Sequence, residues 1–252
     1  MRQRAPLATL LVIVVSAAAG CGRSVQAPRA DRTQLEATAD AAFTASKWYD
    51  ANALYTELLF DYPGAADTDL YLYRLAVSCA RQRMWPEAEF NLGRVIDEYP
   101  HSDLSDEASL ELARVYWDQR RDYRRDQTEV SAALDKLVQF AQTYPGSDLL
   151  PEANLLADSC RAQLAKRSLF VGRFYARRNL DSAALLYYRE ALDDYGGVGC
   201  TGQILMSMGE LYMKSGNAYS CRTTLERALA EPDLSEEDRA RASEMLSRLE
   251  NM

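Results

Sequence analysis

Apolar residues recur along this chain with the period of a helix, and each recurrence ends at the same kind of stop. Ala51, Tyr55 and Leu58 are followed by Pro63, and Ala88, Leu92 and Val95 by Pro100. Ala133, Leu137 and Phe140 precede Pro145, and Ala184, Tyr188 and Ala191 precede Gly196, at the same offsets of 0, 4, 7 and 12. Cys221, Leu225 and Ala228 give a fifth, shorter copy. Offsets 0, 4 and 7 share one face of a helix. A proline stops such a helix, because it has no N–H and its ring clashes with the preceding turn. A second helix is expected upstream of each stretch. There a small residue precedes an aromatic or Cys by three: Ala76 and Cys79, Ala113 and Tyr116, Gly172 and Tyr175, Gly209 and Tyr212. Small residues at these places let two helices approach closely.

This is the spacing of the tetratricopeptide (TPR) repeat, a helix–turn–helix unit. It predicts an all-α, TPR-like helical-repeat solenoid of about five helix pairs. No pair buries its apolar face alone, so the copies must stack. Ala51, Ala88, Ala133 and Ala184 are the expected close-packing positions, and Pro63, Pro100 and Pro145 the helix stops. Ser235 to Asn251 reads as a C-terminal capping helix, with Ser235 as N-cap and Glu236, Glu237 and Asp238 in the first turn, where the helix dipole favours acids. Two irregularities interrupt the array. The segment between Tyr116 and Ala133 is about eight residues too long and contains the polar run DQRRDYRRDQ (118–127). From Pro151 to Arg178 no helix breaker occurs, which predicts one helix of about 28 residues, roughly 42 Å long. Such a helix can end one group of repeats and begin the next.

The N-terminus has a different pattern. Arg2 and Arg4 precede an apolar run from Leu7 to Val15 and the small residues Ser16 to Gly20, the layout of an export signal over residues 1–20. The apolar stretch is short of the roughly 20 residues that span a bilayer. Ala18-Ala19-Gly20-Cys21 resembles the bacterial lipobox. That resemblance implies that Cys21 is the first mature residue, lipidated and inserted in a membrane through several acyl chains, which together hold where one is marginal. Residues 21–34 are polar, contain Pro28, and read as a flexible tether.

Charge and side-chain chemistry narrow the function. The formal net charge is −8, and −10 without residues 1–20. An acidic chain lacks the basic face that nucleic-acid binding needs. His101, the single histidine, falls in a turn. No GxSxG, HExxH, P-loop or GxGxxG pattern occurs, and no CxxC metal spacing. The expectation is therefore a protein-binding chain, not an enzyme, with no cofactor and no metal. Cys79 and Cys160 fall at apolar repeat positions and read as buried free thiols. Cys200 and Cys221 start successive antiparallel helices and so fall too far apart for a disulfide. Trp48, Trp85 and Trp117 fall near helix ends, as packing residues or partner-facing anchors. Arg120, Arg121, Arg124 and Arg125 make one loop basic in an acidic chain.

The order of these features resembles the BamD (YfiO) family of outer-membrane assembly lipoproteins. The features are the lipobox, YPGAAD (62–67), YPHSD (99–103), the long loop with Asp122 and Asp126, YPGSD (144–148), and a long helix ending in LAKRSLFVGRFYARRN (164–179). The resemblance covers about residues 35–230. It implies five TPRs in two groups, 35–150 and 151–252, at the periplasmic face of the outer membrane. It further implies that the C-terminal group docks on a BamA-like barrel protein, beside other assembly-machine subunits, and that the N-terminal group presents a groove to substrate segments. The family's partner-pairing Arg falls near Tyr187 here, with Arg189 two residues on, so these two are the candidate partner contacts. The other reading is a TPR lipoprotein adaptor for pilus assembly, Tol–Pal or recruitment of cell-wall hydrolases.

Overall fold

The computed structural model describes residues 31–251, which form eleven α-helices with no strand among them. In chain order they are α1 (Arg32–Thr44), α2 (Trp48–Asp61), α3 (Thr68–Arg81), α4 (Trp85–Glu98), α5 (Ser105–Asp118) and α6 (Thr128–Thr143). They continue with α7 (Leu150–Ala176), α8 (Asp181–Tyr195), α9 (Thr201–Lys214), α10 (Ala218–Ala230) and α11 (Glu236–Glu250). Helices α1 to α10 make five antiparallel pairs, each packed on the next, and α11 covers the exposed side of the last. The chain is thus an all-α TPR-type solenoid with a C-terminal cap.

The stops work locally. Tyr62, Tyr99 and Tyr144 cap α2, α4 and α6 with nearly identical backbone angles, φ −127°, −128° and −123°. Each donates its N–H to the carbonyl four residues back, on Leu58, Val95 and Phe140. A proline then follows, and no further turn can form. Where Gly196 replaces proline, Tyr195 stays inside α8 and the chain leaves in extended conformation at φ −60°, ψ 147°. At the far end, Ser235 caps α11 by accepting the Asp238 N–H at 3.1 Å.

All fifteen residues at offsets 0, 4 and 7 of the five copies are buried. Each pair closes in the same way, a small residue on the first helix lying under a large one on the second. Gly172 sits against Tyr188, so closely that a Cβ there would lie 2.1 Å from the ring. Gly209 sits against Leu225, with 2.4 Å for the same test. Both large residues come sixteen positions after the small one, as Tyr55 does after Ala39 and Leu92 after Ala76. The core is therefore a ladder of repeated small-under-large contacts.

Consecutive repeats are also tied by hydrogen bonds. Ser102 donates to Asp69 at 2.5 Å and Ser147 to Asp106 at 2.6 Å. The same two hydroxyls accept the N–H groups of Leu104 and Leu149 at 3.1 Å. This gives the Ser of YPHSD and YPGSD two tasks: it turns the chain into the next helix and fixes that helix on the previous repeat.

Helix α7 is 27 residues long, about 40 Å at 1.5 Å per residue. Its first half, with Ala153, Ala157 and Cys160, shares a core with α5 and α6. Its second half, with Ala165 and Leu169, shares one with α8 and α9. One boundary differs from the sequence expectation: α1 begins at Arg32, inside the span read as a tether to residue 34, and Leu35 is already buried. Arg32 is polar but not free. It donates to Asp67 at 2.6 Å and to the Tyr71 hydroxyl at 3.0 Å, partners that local pattern does not reveal.

Candidate protein-binding surfaces

The first helices of repeats two, three and four carry a chain of charges across three repeats. Arg81 of α3 lies 3.2 Å from the Glu111 carboxylate of α5, and Arg114 pairs with the same carboxylate at 2.9 Å. Arg114 also reaches Glu152 of α7 at 2.5 Å. Glu111 is only 2% exposed. A buried carboxylate needs such pairing, because removing one partner leaves an uncompensated charge. Between repeats one and two, Tyr71 of α3 and Arg32 of α1 both donate to Glu36, and these bonds, Tyr71 first, hold its carboxyl below the usual range.

The long α5–α6 connection is docked on the middle of α7. The Gln127 side-chain amide donates to the carbonyls of Asp122, Arg125 and Asp126 at 3.0, 3.1 and 2.9 Å, which folds the loop on itself. Gln163 of α7 donates to the Arg121 carbonyl at 2.8 Å and to the Gln127 side chain at 2.7 Å. Arg167 donates to the Arg124 carbonyl at 2.6 Å, and Tyr123 packs edge-on against Phe170. With its carbonyls so occupied, the loop turns its own arginines outward. Arg120 lies over the Trp117 ring at 4.3 Å and Arg124 over Tyr123 at 5.1 Å. Trp117 thus serves packing through a cation–π contact. Trp48 meets Phe43 edge-on at 5.5 Å, and Trp85 begins α4 beside the core of repeats one to three.

In the C-terminal group, Tyr187 and Arg189 leave α8 on different sides. Tyr187 stacks on Tyr175 of α7 at 5.4 Å, half-buried. Arg189 is exposed and donates to the Tyr212 hydroxyl of α9 at 3.0 Å. The two are therefore not one contact point but flank the ridge of α8, where Leu186 is 55% exposed. Beside this region, a cavity of about 300 Å³ opens between α7, α9 and α11, lined by Arg173, Arg177, Glu210 and Arg241. Large apolar side chains stand exposed elsewhere on second helices: Tyr49, Phe60, Phe90 and Tyr219.

Ala51, Ala88, Ala133 and Ala184 are fully buried and belong to packing, and Pro63, Pro100 and Pro145 follow the helix caps. Cys79, Cys160, Cys200 and Cys221 are buried free thiols. Burial pushes the thiol of Cys160 up to about 12 and those of Cys79 and Cys200 to about 11. Cys200 and Cys221 fall in different core clusters. His101 is an exposed turn residue. Among the described residues no group of three His, Cys, Asp or Glu is placed to hold a metal, and no helix is long and apolar enough to cross a membrane. Cys21 and the 1–20 segment lie outside the described residues. The Ser102 and Ser147 bridges and the docking of the loop were missed by sequence reasoning; the repeated Ser at the third place after the Tyr was the available signal.

Two solved structures align with most of the chain. A TPR repeats protein of Bacteroides fragilis is 15% identical, with 88% of this chain and 99% of that one covered at a TM-score of 0.49. A thermophilic TPR protein of Thermus thermophilus is 18% identical, with 86% and 99% covered at 0.38. Among sequence relatives, the outer membrane protein assembly factor BamD of Caulobacter vibrioides is 23% identical over 220 residues, 85% of this chain and 72% of the relative. BamD of Rickettsia prowazekii is 22% identical over 177 residues, 68% of each. The family described as YfiO, outer membrane lipoprotein, matches residues 28–227, from before the first repeat into α10 of the fifth. This chain belongs to the YfiO family of outer membrane lipoproteins.

Proposed function

We propose that this chain is a lipid-anchored periplasmic scaffold of the machinery that assembles β-barrel proteins in the outer membrane. The family match across residues 28–227 carries the reading, because it takes in all five repeats rather than a generic pair. Lipidated Cys21 would hold the chain to the membrane. The C-terminal group, from the second half of α7 to α11, is the docking side for a BamA-like barrel protein, with Tyr187 and Arg189 as contacts on the two flanks of α8. The inward faces of α3, α5 and α7 would receive extended substrate segments, the use to which solenoids put their concave surfaces.

The test is affinity purification of the tagged chain from detergent-solubilised envelopes. Near-stoichiometric recovery of a barrel protein with periplasmic domains is the expected result, reduced when Tyr187→Ala and Arg189→Glu are combined. Recovery of pilus secretins or cell-wall hydrolases in its place would replace this reading with a general TPR adaptor. Cys21→Ala is expected to leave an exported, soluble chain; retention of that variant in the membrane fraction would defeat the lipid anchor.

A further inference from the structure

The tight turns inside repeats one, two, four and five each place one residue in the left-handed region: Ser46 (φ 56°), Arg83 (60°), Asn179 (59°) and Gly216 (73°). Glycine and asparagine adopt this conformation readily, whereas a long side chain does so at a cost. Arg83 is the misfit in the series. Its side chain lines a groove of about 640 Å³ on the edge of the array, built from the turn of repeat two and the docked loop of repeat three. Arg81, Arg120, Arg121 and Trp85 line it as well.

The four guanidinium groups are unequally engaged. Arg81 is ion-paired with the buried Glu111 carboxylate at 3.2 Å without a hydrogen bond to it. Arg120 rests on Trp117 and lies 3.7 Å from Asp118. Arg83 and Arg121 have no carboxylate partner among the described residues, and the backbone of Arg121 is pinned by Gln163. Asp118 and Asp122 are the acids lining the same groove. So four cations and two acids converge on one recess, in a chain whose net charge is −8. Two of those cations remain unneutralised, on backbone held in place by a strained turn and a docked loop.

We infer that this edge groove binds an acidic, extended peptide segment of a partner protein. Guanidinium groups suit carboxylates because their N–H forks match both oxygens. The volume is that of a site for a multi-atom ligand rather than a single ion. A recess between two repeats is reached by an extended chain and not by a flat bilayer, which favours peptide over lipid headgroup. The backbone strain at Arg83 has the same explanation: the position holds arginine for what its side chain contacts. This groove lies at the intra-repeat turn end of α3, α5 and α7, shares Arg81 with the charge chain on those helices and contains no residue of α8, so it is separate from the docking side of the proposed function.

The experiment uses the full mature chain carrying Cys21→Ala, with fluorescein-labelled hexaglutamate followed by anisotropy at low salt. Saturable binding that weakens steeply with salt is expected, and none for hexalysine. Arg83→Asn should weaken binding about tenfold, the loss of one charge-assisted contact, while its melting temperature stays equal or rises because Asn accepts the left-handed backbone. Arg121→Ala should weaken binding similarly, and Arg241→Glu, in the separate α7–α9–α11 cavity, should not. Absence of saturable binding, or equal binding by the Arg83 and Arg121 variants, overturns the inference. So does flotation with phosphatidylglycerol vesicles that Arg83→Asn abolishes, which would make the groove a headgroup site.

Discussion

Repeats two and three and repeats four and five solve the same packing problem with different chemistry. In the N-terminal pairs, alanines (Ala76 and Ala113) lie under the second helix, and polar bonds tie one repeat to the next: Ser102 to Asp69, Ser147 to Asp106, and the Arg81–Glu111–Arg114–Glu152 chain. In the C-terminal pairs, glycines replace those alanines, and Tyr188 and Leu225 descend into the space. The contrast lies within the pairs, where the C-terminal half closes by a tighter shape fit; between repeats both halves use directional bonds, as Arg189 to Tyr212 and Lys214 to Asp181 show in the C-terminal half. The halves should therefore fail differently when altered.

The largest effect is expected from a charge inside the shared ladder. Ala88→Arg buries an unpaired guanidinium between α3 and α4 and should cost about 4 kcal/mol or more, read as loss of the cooperative melting transition. An unchanged melting temperature would show that position 88 does not pack as described. Next comes the glycine contrast. Gly172→Ala meets the Tyr188 ring and should cost about 2–3 kcal/mol by urea unfolding, an overpacking penalty. Ala76→Gly, at the matching position in the N-terminal half, should cost only about 1 kcal/mol, the helix-propensity difference. Equal losses would abolish the distinction between the halves. The polar ties should be weaker still: Ser147→Ala removes one hydrogen bond and a turn contact, for about 1 kcal/mol.

The smallest effect is a pH dependence from the buried thiols. Their pKa values are raised by burial, so the neutral form is the stabilising one. That contribution is complete below the ordinary thiol value of about 8.5 and is lost as pH rises through the native values. Stability should hold from pH 7 to about 8 and decline toward pH 11. The thiols should also resist labelling by a thiol reagent until the chain unfolds.

What could be read in advance follows the range of each interaction. The fifteen core positions and three helix stops are written in periods of three or four residues and in prolines, so sequence alone places them. The boundary of α1 was misplaced because the partners of Arg32 are Asp67 and Tyr71, 35 and 39 residues away. The loop at 119–127 looked merely long and polar, since its anchors Gln163 and Arg167 lie 42 and 43 residues from the carbonyls they hold. The arginine groove was half visible as a basic run. Its other half, Arg81 and Arg83, joins only when repeats two and three stack.

The shared helix α7 has one more consequence. A solenoid behaves as a row of coupled units that can open at whichever junction is weakest, with a partly melted array as the result. Here the junction between repeats three and four is an unbroken 27-residue helix contributing side chains to both neighbouring cores. Opening there means breaking backbone hydrogen bonds as well as parting two surfaces. The middle of the array is where fraying is most strongly opposed, so a force applied at one end reaches the other as displacement of a single rod.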